Sequence, residues 1–196
     1  MENKEFYNEY IKQFLEENSK VNLISKNDEK FIWEKHIYDS LSAEKFFTKY
    51  GYPKNILDIG TGGGFPSVPI ALTYQQIHVT AVDSIAKKIR AIQSLKSALN
   101  IENITPICSR IENLSGEFEV VTSRAVSSLK NICEYALPKT CKNGYFIAYK
   151  SRKTPEEILE AEKTLKKYNA KIIDIIEYEL PLEEKLTRNL IIIKRG

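Results

Sequence analysis

The stretch "LDIGTGGGFP" puts four glycines, Gly60, Gly62, Gly63 and Gly64, within five residues, with Asp58 just ahead of them and Pro66 just behind. Glycine has no Cβ and tolerates positive φ, so such a run lets the backbone turn tightly and approach a ligand closely. Ordering four glycines around nothing would cost conformational entropy without compensation. The dinucleotide pattern G-x-G-x-x-G, counted from Gly60, needs its third glycine where Phe65 stands, and so fails. The pattern that holds is Asp58-x-Gly60-x-Gly62-x-Gly64. A carboxylate two residues before the turn repels a pyrophosphate but attracts a ligand that carries an ammonium group and a sulfonium, which points to S-adenosyl-L-methionine. Asp83 closes "IHVTAVD", 23 residues after Gly60, where it can accept two ribose hydroxyls in either kind of cofactor. Its plainer reading is an acid at the start of the following helix.

These residues need a frame that gathers strand ends, and the chain alternates accordingly. Residues 1–50 place Phe6, Tyr10, Ile11, Phe14 and Leu15, then Phe31, Ile37, Leu41 and Phe47, at helical spacing and are read as a helical extension. "GYP" at 51–53 breaks the chain. Residues 51–196 are read as the second domain, in which apolar strand-like runs alternate with helical ones. That alternation predicts an α/β fold with a mostly parallel, doubly wound sheet of seven strands. Only "PLEEKL" separates the last two strands, too little for a parallel crossover, so one strand is predicted to run reversed near the edge. Helices are expected from Pro66 and over 85–99, 127–137 and 155–168.

Composition excludes several classes. Cys108, Cys133 and Cys141 form no C-x-x-C pair, and His36 and His78 have no ligand spacing, so no metal site is expected. No apolar run reaches the length of a membrane span. A cytoplasmic, monomeric protein with reduced thiols is expected. The net charge is only +3, but residues 1–50 carry eight basic and ten acidic side chains, so the positive excess lies beyond them. A grip on an anion is expected mainly there.

Taken together, "LDIGTGGGFPSVPIA", "AVDS", "SRIENL" and "TSRAVSSL" resemble the bacterial small-subunit ribosomal RNA methyltransferase G family, also called glucose-inhibited division protein B. The likeness extends to "SKVNLIS", "EKHIYDSL" and "GYFIAYKS" and covers nearly the whole chain. It implies a Rossmann-like class I methyltransferase in which Gly60, Phe65, Ile111, Glu112 and Arg124 meet the cofactor, Ile111 and Glu112 at the adenine. Asp58, Gly62, Gly64 and Asp83 join that set from chemistry alone. Two departures stand out: Gly63 replaces a common proline, and "YKS" at 149–151 replaces "KG".

The resemblance implies methyl transfer to nitrogen 7 of a guanosine in 16S ribosomal RNA, at position 527 in the family. That nitrogen already carries an in-plane lone pair, so no general base is required and no catalytic residue is assigned. Alignment of the reactants is available as a large effect, roughly 7–11 kcal/mol. An exocyclic amine acceptor commonly goes with an Asn/Asp-Pro-Pro-aromatic run at the fourth strand, and a pyrimidine carbon with a cysteine there. This chain reads "TSRAV" instead. Candidates for holding RNA, in the family reading the 16S RNA or the small subunit, are His36, Arg124, Lys150, Arg152 and Lys153. Lys87, Lys88 and Arg90 could face phosphate, but are read first as a solvated helix face. Two other functions stay open: a methyltransferase of a small molecule or protein, and a non-catalytic nucleoside- or RNA-binding scaffold.

Overall fold

The computed structural model describes residues 4–124, 127–151 and 154–196. Seven strands form one sheet: β1 (Asn55–Ile59), β2 (His78–Asp83), β3 (Ile104–Cys108), β4 (Phe118–Arg124), β5 (Thr140–Lys150), β6 (Ala170–Leu180) and β7 (Leu186–Arg195). Their spatial order is β3-β2-β1-β4-β5-β7-β6. The pairs among β1 to β5 are parallel, while β7 runs antiparallel to both β5 and β6. The reversed strand thus sits one place in from the edge, as the short link before it requires.

Alternation along the strands sorts the core into two layers. Ile56, Val120, Ile147, Leu190 and Ile192 face one side, and Leu57, Val121, Phe146, Ile191 and Ile193 face the other. The second side is covered by α7 (Leu129–Ala136) and α8 (Thr154–Lys167). Ile132, Cys133, Ala161 and Leu165 lie in that layer. The first side is covered by α5 (Ser67–Thr73), α6 (Ala86–Ala98) and the amino-terminal extension.

The extension comprises α1 (Asn8–Val21), α2 (Lys26–Glu29), a π-helical turn over Trp33–Tyr38, α3 (Asp39–Leu41) and α4 (Glu44–Tyr50). Its Tyr10, Phe14, Ile37, Phe46 and Phe47 are buried in the same cluster as Phe65, Val68 and Ile70 from the sheet's first helical connection. Asn22 ends α1 in the left-handed conformation with φ of 52°. Asn18 then holds the returning chain: its Oδ1 accepts the Ile24 N–H at 2.8 Å and its Nδ2 donates to Glu29 at 2.7 Å. That bend carries Ser25 and Asp28 over the carboxyl ends of the strands. Gly51, with φ of 98°, ends α4 and releases the chain into β1.

Candidate active site

In an open parallel sheet, the crevice lies beyond the strand ends where neighbouring connections part to opposite faces. Here that place is between β1 and β4. Gly60 and Thr61 donate their N–H groups to the Val82 carbonyl at 2.9 and 3.0 Å, and Gly64 and Phe65 donate to the Thr61 carbonyl. Gly60, Gly62 and Gly64 have φ of 69°, 59° and 92°, so each uses conformational freedom that other residues lack. A Cβ on Gly62 would meet nothing closer than the Gly60 carbonyl at 3.8 Å. Gly62 therefore faces open space.

That space is a cavity of about 720 Å³, within the size range of ligand pockets. Among the predicted residues, Gly60, Gly62, Phe65, Asp83, Ile111, Glu112, Arg124 and His36 all line it. Ile111 and Glu112 arrive on a single 3-10 turn after β3. Asp83 Oδ2 accepts the Gly62 N–H at 3.0 Å and Oδ1 the Ile85 N–H at 2.9 Å, so its carboxylate braces the turn and the start of α6 together. Lys88 lies 3.8 Å from that carboxylate and lines the cavity. This corrects its reading as part of a solvated face, because the first turn of α6 points back at the strand ends. Lys87 and Arg90 are exposed as expected.

Two predicted cofactor residues are not in the cavity wall. A Cβ on Gly64 would come within 2.6 Å of Val68 Cγ2, so this glycine lets the turn close onto α5. Asp58 shares the parity of Ile56 along β1 and lies beneath the turn, 1 % exposed. Its Oδ1 accepts the Thr122 hydroxyl at 3.0 Å, and its Oδ2 has no hydrogen-bond partner among the described residues. Burial pushes its carboxyl up to about 6, against the hydroxyls of Thr61 and Thr122 and the positive Arg124. Buried outside the wall, Asp58 is placed to influence the cavity through its field and not by contact.

Arg124, at the end of β4, is the hub. Its Nη1 donates to the Lys35 carbonyl at 3.1 Å and to Asp39 at 2.9 Å, and its Nη2 to His36 Nδ1 at 3.0 Å. The guanidinium also lies 5.2 Å from the centre of the Phe65 ring, within cation–π reach. Because an arginine can only donate, His36 accepts at Nδ1 and carries its proton on Nε2. Burial, and then the Arg124 charge, lower the His36 pKa to about 4, so the ring is neutral near pH 7. The π-helical turn presents Lys35 and His36 here, in keeping with the tendency of such turns to fall at functional sites.

A second cavity of about 590 Å³ adjoins the first and shares Asp28, His36 and Arg124 with it. Lys150 is in its wall, with Nζ 2.6 Å from the Ser127 carbonyl and 2.7 Å from Glu157. Arg152 and Lys153 lie outside the described residues. Sequence reasoning missed Asp28, Lys35, Asp39 and Arg188, which also line this wall. No spacing rule connects them, since they come from the extension and from β7. Among the described residues no His/Cys/Asp/Glu group is arranged to hold a metal ion.

The model of a known family, described as rRNA small subunit methyltransferase G, GidB, matches residues 3–186. The chain is 36% identical over 197 residues to Ribosomal RNA small subunit methyltransferase G of Bacillus licheniformis, covering 97% of this chain and 82% of that one. It is 37% identical to the protein of that name from Staphylococcus saprophyticus, covering 95% and 79%. Among solved structures it resembles M. jannaschii TYW2 in complex with AdoMet, with a TM-score of 0.61, 13% identity and coverage of 81% and 77%. At that identity the last likeness shows the fold alone.

Proposed function

Because the chain belongs to the rRNA small subunit methyltransferase G family, we propose that it methylates nitrogen 7 of a guanosine in 16S ribosomal RNA, using S-adenosyl-L-methionine. The family expectation places that guanosine at position 527. The protein acts as a cytoplasmic monomer on the RNA or the small subunit in this reading.

The residues present fit the cofactor. The missing Cβ of Gly62 leaves room for a close approach, and Asp83 keeps acceptor capacity for ribose hydroxyls beyond its two backbone N–H partners. Ile111 and Glu112 would flank the adenine, and the buried Asp58 carboxylate would favour the cationic end. Bound there, S-adenosyl-L-methionine supplies an electrophilic methyl on a sulfonium.

The observation that carries the reading of the acceptor is the junction of the two cavities. Asp28, His36 and Arg124 are the residues that line both. Asp28 is held below the ordinary carboxylate range, first by its bond to Lys35, which makes it a weak base. The lone pair of His36 is already taken by Arg124. Arg124 cannot accept a proton. A junction without a free base suits a nucleophile that needs no deprotonation, which guanine nitrogen 7 is and an amine or hydroxyl is not. The chain's part is alignment, with Arg124 locking β4 against the extension so that both cavities keep a common mouth.

The test is labelled-methyl transfer from S-adenosyl-L-methionine to small ribosomal subunits, followed by mapping of the modified base. Label on guanine nitrogen 7 of 16S RNA is the expected result. Label found only on proteins or small molecules would overturn the assignment, and tight binding of NAD in place of the sulfonium would overturn the cofactor.

A further inference from the structure

On the reading above, we infer that Arg188 holds the phosphate of the nucleotide whose base is methylated. β7 runs against β5, with Asn189 paired to Lys150, so the first residues of β7 lie at the same end of the sheet as the glycine turn. Arg188 lines the second cavity there, together with Leu186 and the junction residues Asp28, His36 and Arg124.

The charge pattern of that wall sets Arg188 apart. Lys35 is paired with Asp28 at 2.8 Å, Arg124 with Asp39 at 2.9 Å and Lys150 with Glu157 at 2.7 Å. His36 is neutral. Arg188 alone among these cations has no carboxylate partner among the described residues, where its guanidinium donates to its neighbour's carbonyl, Thr187, at 3.3 Å. Among the described residues, three closed pairs and one open arginine leave the cavity with a single uncompensated positive charge. A planar fork of N–H donors beside a half-enclosed space matches a phosphate bidentately. Lys35 and Lys150 would each have to break an ion pair to do the same. A base entering this cavity would reach Asp28, His36 and Arg124, which also line the cofactor cavity, while its phosphate remained with Arg188.

The experiment measures labelled-methyl transfer to small ribosomal subunits by wild-type protein, R188Q and R188K, with KM determined across a salt series. Cofactor affinity by calorimetry checks folding, because Arg188 does not line the first cavity. R188Q is expected to raise KM roughly ten-fold and to flatten the slope of log(kcat/KM) against log salt by about 0.7, the value for one phosphate on a single strand. R188K keeps the charge, and therefore the slope, while losing the fork and raising KM about three-fold. If wild type methylates the RNA and R188Q matches it in KM and slope, the inference falls and the methyltransferase reading stands. If wild type methylates no ribosomal RNA, the reading falls and takes the inference with it. A loss confined to kcat also overturns the inference. Should R188Q lose cofactor affinity, R188K decides, since a flattened slope with the charge retained is incompatible with a phosphate contact.

Discussion

Replacing Asp58 by asparagine should make the unliganded chain more stable and its cofactor binding weaker. The side chain is 1 % exposed, Oδ2 has no partner among the described residues, and burial raises its carboxyl from 3.8 to about 6. A folded-state value above the unfolded one means that the folded chain prefers the proton. Ionisation therefore costs stability, starting above about pH 4 and complete above about pH 6. At 1.36 kcal/mol per pKa unit the full cost is about 3 kcal/mol near neutrality. An asparagine there would carry no such cost, and its amide can bond the hydroxyls that Asp58 now faces. Binding runs the other way. For an illustrative separation of about 8 Å and an effective dielectric of about 20, a cationic centre would be attracted by about 2 kcal/mol, or about thirty-fold in affinity. Coupling is reciprocal, so wild-type affinity should decline as pH falls through 6, while that of D58N stays flat. Calorimetry with S-adenosyl-L-methionine at pH 5, 6 and 7.5, with thermal denaturation at the same values, measures both effects. A D58N protein that binds within two-fold of wild type at pH 7.5, or that is less stable there, refutes the argument.

Gly62→Val should abolish cofactor binding in calorimetry with the circular dichroism unchanged, because a β-branched residue at φ of 59° is strained and fills the space above the turn. Gly64→Ala acts by packing: with Val68 Cγ2 at 2.6 Å from the added Cβ and φ of 92°, it should lower stability by about 2 kcal/mol in urea denaturation. His36→Phe should change the pH dependence of stability. The His36 pKa in the folded chain, about 4, lies below the ordinary 6.5, so its contribution is present above pH 6.5 and is lost as pH falls toward 4. Wild-type stability should drop over that window through His36, and H36F should lose that component in thermal melts from pH 4 to 7.

The glycine turn, the strand–helix alternation and the reversed β7 were legible because each rests on local rules: which residues tolerate positive φ, which periodicity a segment carries, and how few residues join the last two strands. Gly62 and Asp83 follow from the same logic, since residues just past parallel strands gather at one end of the sheet, whereas Gly60, Phe65, Ile111, Glu112 and Arg124 came from the family resemblance and line the same cavity. Direction was not legible. Asp58 and Asp83 read alike in sequence, as acids beside a turn, yet Asp58 falls on the Ile56 side of β1 and is buried, while Asp83 ends β2 at the cavity. The second cavity was equally hidden. Lys35 and Arg188 are more than a hundred and fifty residues apart, and only the packing of the extension onto the sheet brings them to one wall. The turn and the order of elements were already set along the chain, because covalent neighbours act within a few residues. Which charges are paired and which one is left open emerged only on folding, because a partner in space has no fixed distance along the chain.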